Sequence, residues 1–151
     1  MKKLLKALLL VCMVSLALSL PAFAGAPTDV EGFFTYVPVP GDSREAGPNQ
    51  FTPSWDDEWW KGDLIGTAST EYTLILHGED PYSDPGKFVS TGVFEGTVLD
   101  SESGEAAIKL VGHQSDGVLW YGTWSIGRGT GGLEGVHGQG TWKWDVPSLD
   151  P

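Results

Sequence analysis

Sulfur is scarce in this chain. Its one cysteine and two methionines, Cys12, Met1 and Met13, all fall within the first 24 of 151 residues. If that leader is removed, thiol chemistry, disulfide frameworks and zinc–thiolate sites are excluded. Basic side chains are scarce too. Beyond residue 24 there are six lysines and arginines against 20 acids, a net of −14. That sign disfavours nucleic acid and anionic membrane surfaces as partners, since counterion release needs basic groups, and neither is expected. No segment beyond the leader keeps apolar residues at i, i+3, i+4 and i+7 over three turns, so no long helix is expected.

The leader is an address. Lys2, Lys3 and Lys6 precede an apolar run from Leu4 to Leu20, and Ala22-Phe23-Ala24 offers a small-x-small cleavage site. The expectation is Sec-type export with cleavage after Ala24 and a secreted or periplasmic destination. Its uncharged core is short for a membrane span. Cys12 follows Leu10 and Val11, which is no lipid-attachment box. The 127 residues that remain suffice for one domain held by its own core.

What is abundant is glycine, tryptophan and β-forming residues. Glu31–Val37 predicts one strand, and Pro38–Ser54, with its prolines, predicts a long loop or partly disordered segment. Strands are expected at 58–67, 70–77, 87–99, 105–113, 118–126 and 134–145, with a short one near Phe51–Trp55. Turn signals separate them at Gly78–Gly86, Asp100–Gly104, Gln114–Gly117 and Gly127–Gly132. The division is 1–24 signal peptide, 25–57 N-terminal strand and Pro-rich loop, 58–145 barrel body and 146–151 tail. The fold class is all-β, an antiparallel up-and-down barrel of about eight strands or a sandwich.

Alternation gives each strand two faces. Tyr72, Leu74 and Leu76 share one, as do Phe88, Phe94 and Val98, then Ala106, Ile108 and Leu110, then Val136, Trp142 and Trp144. The opposite faces are mixed. Which set lines the interior is left open by the pattern.

Four blocks carry a resemblance: Thr91-Gly-Val-Phe-Glu-Gly-Thr97, Ser103-Gly-Glu105, Gly122-Thr-Trp124 and Gly129–Trp142. In order and spacing they resemble small bacterial proteins of unknown function with an allene-oxide-cyclase-like, or calycin-like, barrel. The resemblance covers about residues 60–144. It implies an eight-stranded antiparallel barrel with an internal cavity, and it carries over no catalytic residues. The leader and the proline- and acid-rich region 30–57 depart from that family.

Several groups invite chemistry. Gly127-Arg-Gly-Thr-Gly-Gly132 satisfies G-x-G-x-x-G, yet a strand and not a helix is expected after it, so a barrel turn is the better reading. Glu71 and Glu95 lie mid-strand on mixed faces. Inside a lumen either would serve as acid or base; on the outside both are solvated. The acids Asp56-Asp57-Glu58, Glu79-Asp80, Asp84 and Asp100–Glu105 read as solvated turns, and none has calcium-loop spacing. A site made of His77, His113 and His137 would need a coincidence of barrel closure, so no metal and no cofactor is expected. Trp120, Trp124, His137 and Gln139 are the ligand-binding candidates. Trp55, Trp59 and Trp60 form an aromatic cluster suited to a surface or carbohydrate contact. The leading expectation is a non-catalytic module that holds a small apolar or aromatic ligand. The alternatives are a cyclase or lyase using a lumen carboxylate, and an extracellular surface or carbohydrate interaction protein.

Overall fold

The computed structural model describes residues 28–78, 84–115 and 119–144. The signal segment with Ala24, parts of two loops and the tail 146–151 lie outside the described residues. Eight strands form one antiparallel sheet: β1 (Gly32–Pro40), β2 (Arg44–Ala46), β3 (Asn49–Gly62), β4 (Leu64–Leu76), β5 (Gly86–Val98), β6 (Gly104–Gln114), β7 (Tyr121–Gly131) and β8 (Gly138–Lys143). Their order is β1-β3-β4-β5-β6-β7-β8, with β2 continuing the β1 edge beside β3. The sheet curls into an open half-barrel. Among the described residues no hydrogen-bonded ladder closes it, since β1 and β8 are the two ends of the path.

The Pro38–Ser54 loop is not a loop. β1 runs to Pro40, β2 and a tight turn follow, and β3 has begun by Asn49. An edge strand has one neighbour, so a residue without an N–H is tolerated there. Pro38 and Pro40 use that freedom opposite Asp56 and Ser54. Pro53 lies where the edge itself breaks. β2 pairs as far as Phe51 and β1 resumes at Ser54. In the gap Gly41 N donates to Pro53 O at 2.7 Å, and Ser43 Oγ meets Thr52 Oγ1 at 2.7 Å.

Three strand limits also move. The expected strand 58–67 straddles a hairpin at Gly62–Asp63, where Gly62 has φ +112°, a value that side chains disfavour. The division at residue 57 accordingly falls inside β3. Gly127–Gly131 belongs to β7, and the turn follows at Gly132–Gly135. The last strand is shorter than expected at its start, opening at Gly138.

The expected apolar sets of β4, β5, β6 and β8 face inward, whereas Phe33, Val37 and Val39 of the edge strand β1 are exposed. Trp60, Leu64, Ala68, Phe94, Ala106, Ile108, Leu110, Ile126 and Leu133 make one buried cluster. Phe94 at its centre is fully buried, and a side chain of that size contributes about 1.5–3 kcal/mol of burial. Odd-numbered residues face the convex side along β4, β5, β6 and β8 and along β3 from Trp55. In β7 the alternation reverses after the irregularity opposite Glu105–Ala107, so that Thr130 is exposed opposite Glu105. Glycines let rings lie flat across the strands. Gly112 sits under Phe88, whose Cε1 would be 2.2 Å from an added Cβ, and Gly122 lies beneath Trp142. The Trp142 indole Nε1 donates past Gly122 to Val111 O and Thr123 O, each at 3.2 Å.

Aromatic contact joins the two free edges. Phe34 on β1 stacks on Trp60 at 4.6 Å and meets Trp142 of β8 edge-on at 6.4 Å. Trp142 continues to Phe88 at 5.8 Å, and Phe88 to Tyr72 at 5.2 Å and Trp120 at 5.4 Å. Where backbone pairing stops, stacked rings hold the curl.

Candidate functional site

Inside this apolar trough, β3 and β4 carry a polar seam. The stretch Ser54-Trp55-Asp56-Asp57-Glu58-Trp59-Trp60 alternates, so Ser54, Asp56, Glu58 and Trp60 point into the concave side. Thr52, Ser54, Glu58, Thr70 and Ser90 are all buried. The reading of Asp56-Asp57-Glu58 as a solvated turn is therefore corrected. These acids sit mid-strand, paired with Thr70, Ser69 and Ala68 of β4.

Glu58 is only 2% exposed. Trp60 Nε1 donates to its Oε2 at 2.8 Å, and Thr70 Oγ1 donates to its Oε1 at 3.1 Å. Both bonds favour the ionised form, but burial outweighs them and the neighbouring Asp56 charge adds to it. The carboxyl is pushed up from 4.5 to about 7. Asp56, half-buried, rises to about 6 for the same leading reason, partly offset by the Tyr72 hydroxyl that donates to Oδ1 at 3.2 Å. The charge of Asp57 adds to the rise. Burial, and then the charge of Asp56, push the Tyr72 phenol upward, so it remains a donor at neutral pH.

Among the described residues no lysine or arginine stands beside this pair in the trough: Arg44 is exposed over the Phe51 ring and Arg128 is exposed on β7. The described lysines, Lys61, Lys87, Lys109 and Lys143, all occupy exposed odd positions. Two further polar side chains in the seam's surroundings lack partners among the described residues. They are Ser90, whose Oγ is orphaned next to Tyr72 in the register, and Gln114, whose amide N and O both are. Burying such an atom unpaired costs about 1–3 kcal/mol. The arrangement holds exchangeable protons near neutrality, accepts hydrogen bonds and offers unfilled polar positions beside aromatic rings.

The predicted site residues are distributed differently. Glu71 and Glu95 lie on the convex face, exposed to solvent. Trp120 is buried against Phe88, and Trp124 is half-buried over Gly140. His137 and Gln139 are exposed, His137 with its Nδ1 3.1 Å from Gly135 O. By strand alternation the Trp124 side chain points to the concave side and that of Gln139 to the convex side. Gln139 borders a shallow depression with Lys109, Thr123, Trp124, Ser125 and Thr141. His77 approaches Asn49, and His113 lies 6.3 Å from the Tyr121 ring. Trp60 parts company with Trp55 and Trp59, which face outward.

Sequence reasoning missed Asp56, Glu58, Thr70 and Tyr72 as a group. The usable signal was the Gly62-Asp63 turn. Counting back in twos from Trp60 places Glu58 and Asp56 on the apolar side. Tryptophans on both faces of β3 hid that alternation.

Comparison with models of known protein families, with curated proteins and with solved structures finds no match in any of the three.

Proposed function

We propose that this protein is an exported, single-domain binding module that holds a small apolar or aromatic ligand in the trough of the half-barrel. One observation carries the reading: a continuous run of aromatic rings, several half-exposed, borders the buried Glu58 and half-buried Asp56, which have no counter-ion in the trough among the described residues. Ligand sites of this kind combine an apolar wall with a few fixed polar groups. The orphaned Ser90 hydroxyl and Gln114 amide add polar positions that a ligand would satisfy. The likeness to allene-oxide-cyclase-like barrels rests on the four sequence blocks and on the antiparallel curl, and the unpaired β1 and β8 edges depart from it. Export rests on the Lys2–Ala24 pattern. N-terminal sequencing of the protein recovered from periplasm or medium should begin at Gly25, and an intact Met1 there would refute it.

Tryptophan fluorescence titrated with N-phenyl-1-naphthylamine, naphthalene and benzylamine tests the trough. A saturable change is expected for at least one probe, with a pH dependence that Glu58→Gln alters. Silence across the panel would discard the reading.

Glu58 also favours a second reading. A carboxyl near 7 is matched to proton transfer at neutral pH, as a cyclase or lyase with a lumen carboxylate requires. Incubation with epoxides and lactones, followed by mass spectrometry, tests it. Turnover unchanged in Glu58→Gln would dismiss this role.

A further inference from the structure

The outward half of the β3 alternation makes a second surface, separate from the trough. Trp55 is 50% exposed and Trp59 45%. Across the β3–β4 register Trp55 faces Glu71, and Asp57 faces Ser69, whose Oγ donates to Asp57 Oδ1 at 3.0 Å. Thr91 and Val93 of β5 follow beside Glu71 and Ser69. Together these residues border an open depression of ≈ 580 Å³. The Trp55 ring is backed by main chain, since a Cβ added at Gly41 would lie 3.3 Å from its Cζ3. The indole therefore presents one broad face with a carboxylate on each side, one across the ladder and one two residues along its own strand.

The face is predominantly acidic. Asp57, Glu71 and Glu95 lie on it against one mid-strand cation, Lys109, which stands a strand further on opposite Thr91, while Lys61 and Lys87 stand near the strand ends. A planar guanidinium is the group that uses both halves of such a site. It stacks on an indole and bonds a carboxylate through two parallel N–H donors. A neutral sugar would stack on the ring but gain no charge attraction from Asp57 and Glu71. We infer that the convex face of β3 and β4, centred on Trp55, docks an arginine-bearing segment of a basic partner protein. The partner's arginine lies over Trp55 between Asp57 and Glu71, and an extended backbone runs along the convex face.

Calorimetric titration of the whole protein with hexa-arginine peptide tests this. Saturable binding that weakens with added salt is expected. Trp55→Ala and Glu71→Gln should each weaken it about tenfold, while Glu102→Gln, which removes the same charge from a distant exposed turn, should leave it unchanged. Circular dichroism identical to the parent confirms that the surface variants fold. Equal weakening by Glu102→Gln and Glu71→Gln would overturn the site in favour of diffuse charge. Binding of cellohexaose or chitohexaose without hexa-arginine would overturn the occupant in favour of a glycan. Self-association that Trp55→Ala abolishes, with hexa-arginine inert, would overturn it in favour of a second copy.

Discussion

The Trp60 indole and the Glu58 carboxyl, two residues apart on one face of β3, are joined by a 2.8 Å hydrogen bond inside the trough. A bond of this kind to an ionised carboxylate ordinarily lowers its proton affinity. Here burial reverses the outcome and holds Glu58 near 7. Protein stability is thereby tied to pH.

Because the folded protein binds this proton more tightly than the unfolded chain, the contribution of Glu58 is fully present below about pH 4.5. It is lost as pH rises through about 7. Asp56 acts in the same direction between 3.8 and about 6. Denaturant unfolding should show stability falling from pH 4.5 to pH 8 by an amount on the order of 2 kcal/mol from Glu58. Glu58→Gln should flatten most of that slope. A slope unchanged in the variant would contradict the assignment.

Glu71→Gln and Glu95→Gln should behave otherwise. Both side chains are exposed on the convex face, so each substitution should shift stability by less than about 0.5 kcal/mol at any pH. Chemical denaturation at pH 5 and pH 8 is sufficient, and a large pH-dependent effect of either would place that carboxylate in a buried setting.

Glycines separated by a few residues should differ in tolerance. An added Cβ at Gly122 would lie 1.7 Å from Val111 O, whereas one at Gly127 meets nothing within 4 Å. Gly122→Ala should destabilise by about 2 kcal/mol or more. Gly127→Ala should be neutral or gain up to about 1 kcal/mol by restricting the unfolded chain. Thermal unfolding ranks the two, and a reversed order would refute the close approach of β6 and β7.

The contact between Phe34 and Trp142 spans strands that share no ladder. A double-mutant cycle with Phe34→Leu and Trp142→Leu should give a coupling of about 0.5–1.5 kcal/mol. A coupling of zero would mean that the free edges are held by other contacts.

The sequence by itself determined the all-β class, the antiparallel order of β4 to β8 and the apolar faces of β4, β5, β6 and β8. Alternation and turn chemistry are local, and residues such as Tyr72, Leu74 and Leu76 carry them without reference to the rest of the chain. Only the tertiary structure decided which face is inside, that Pro38–Pro40 is a sheet edge, and that β1 and β8 meet through Phe34 and Trp142 without pairing. Those outcomes depend on which strand lies beside which, and prolines read as breakers until a strand is known to have a single neighbour. The same holds for Glu58. Three acids in a row look solvated, and only the packing of the concave face of β3 places the first and third inward, where lost hydration raises their proton affinity.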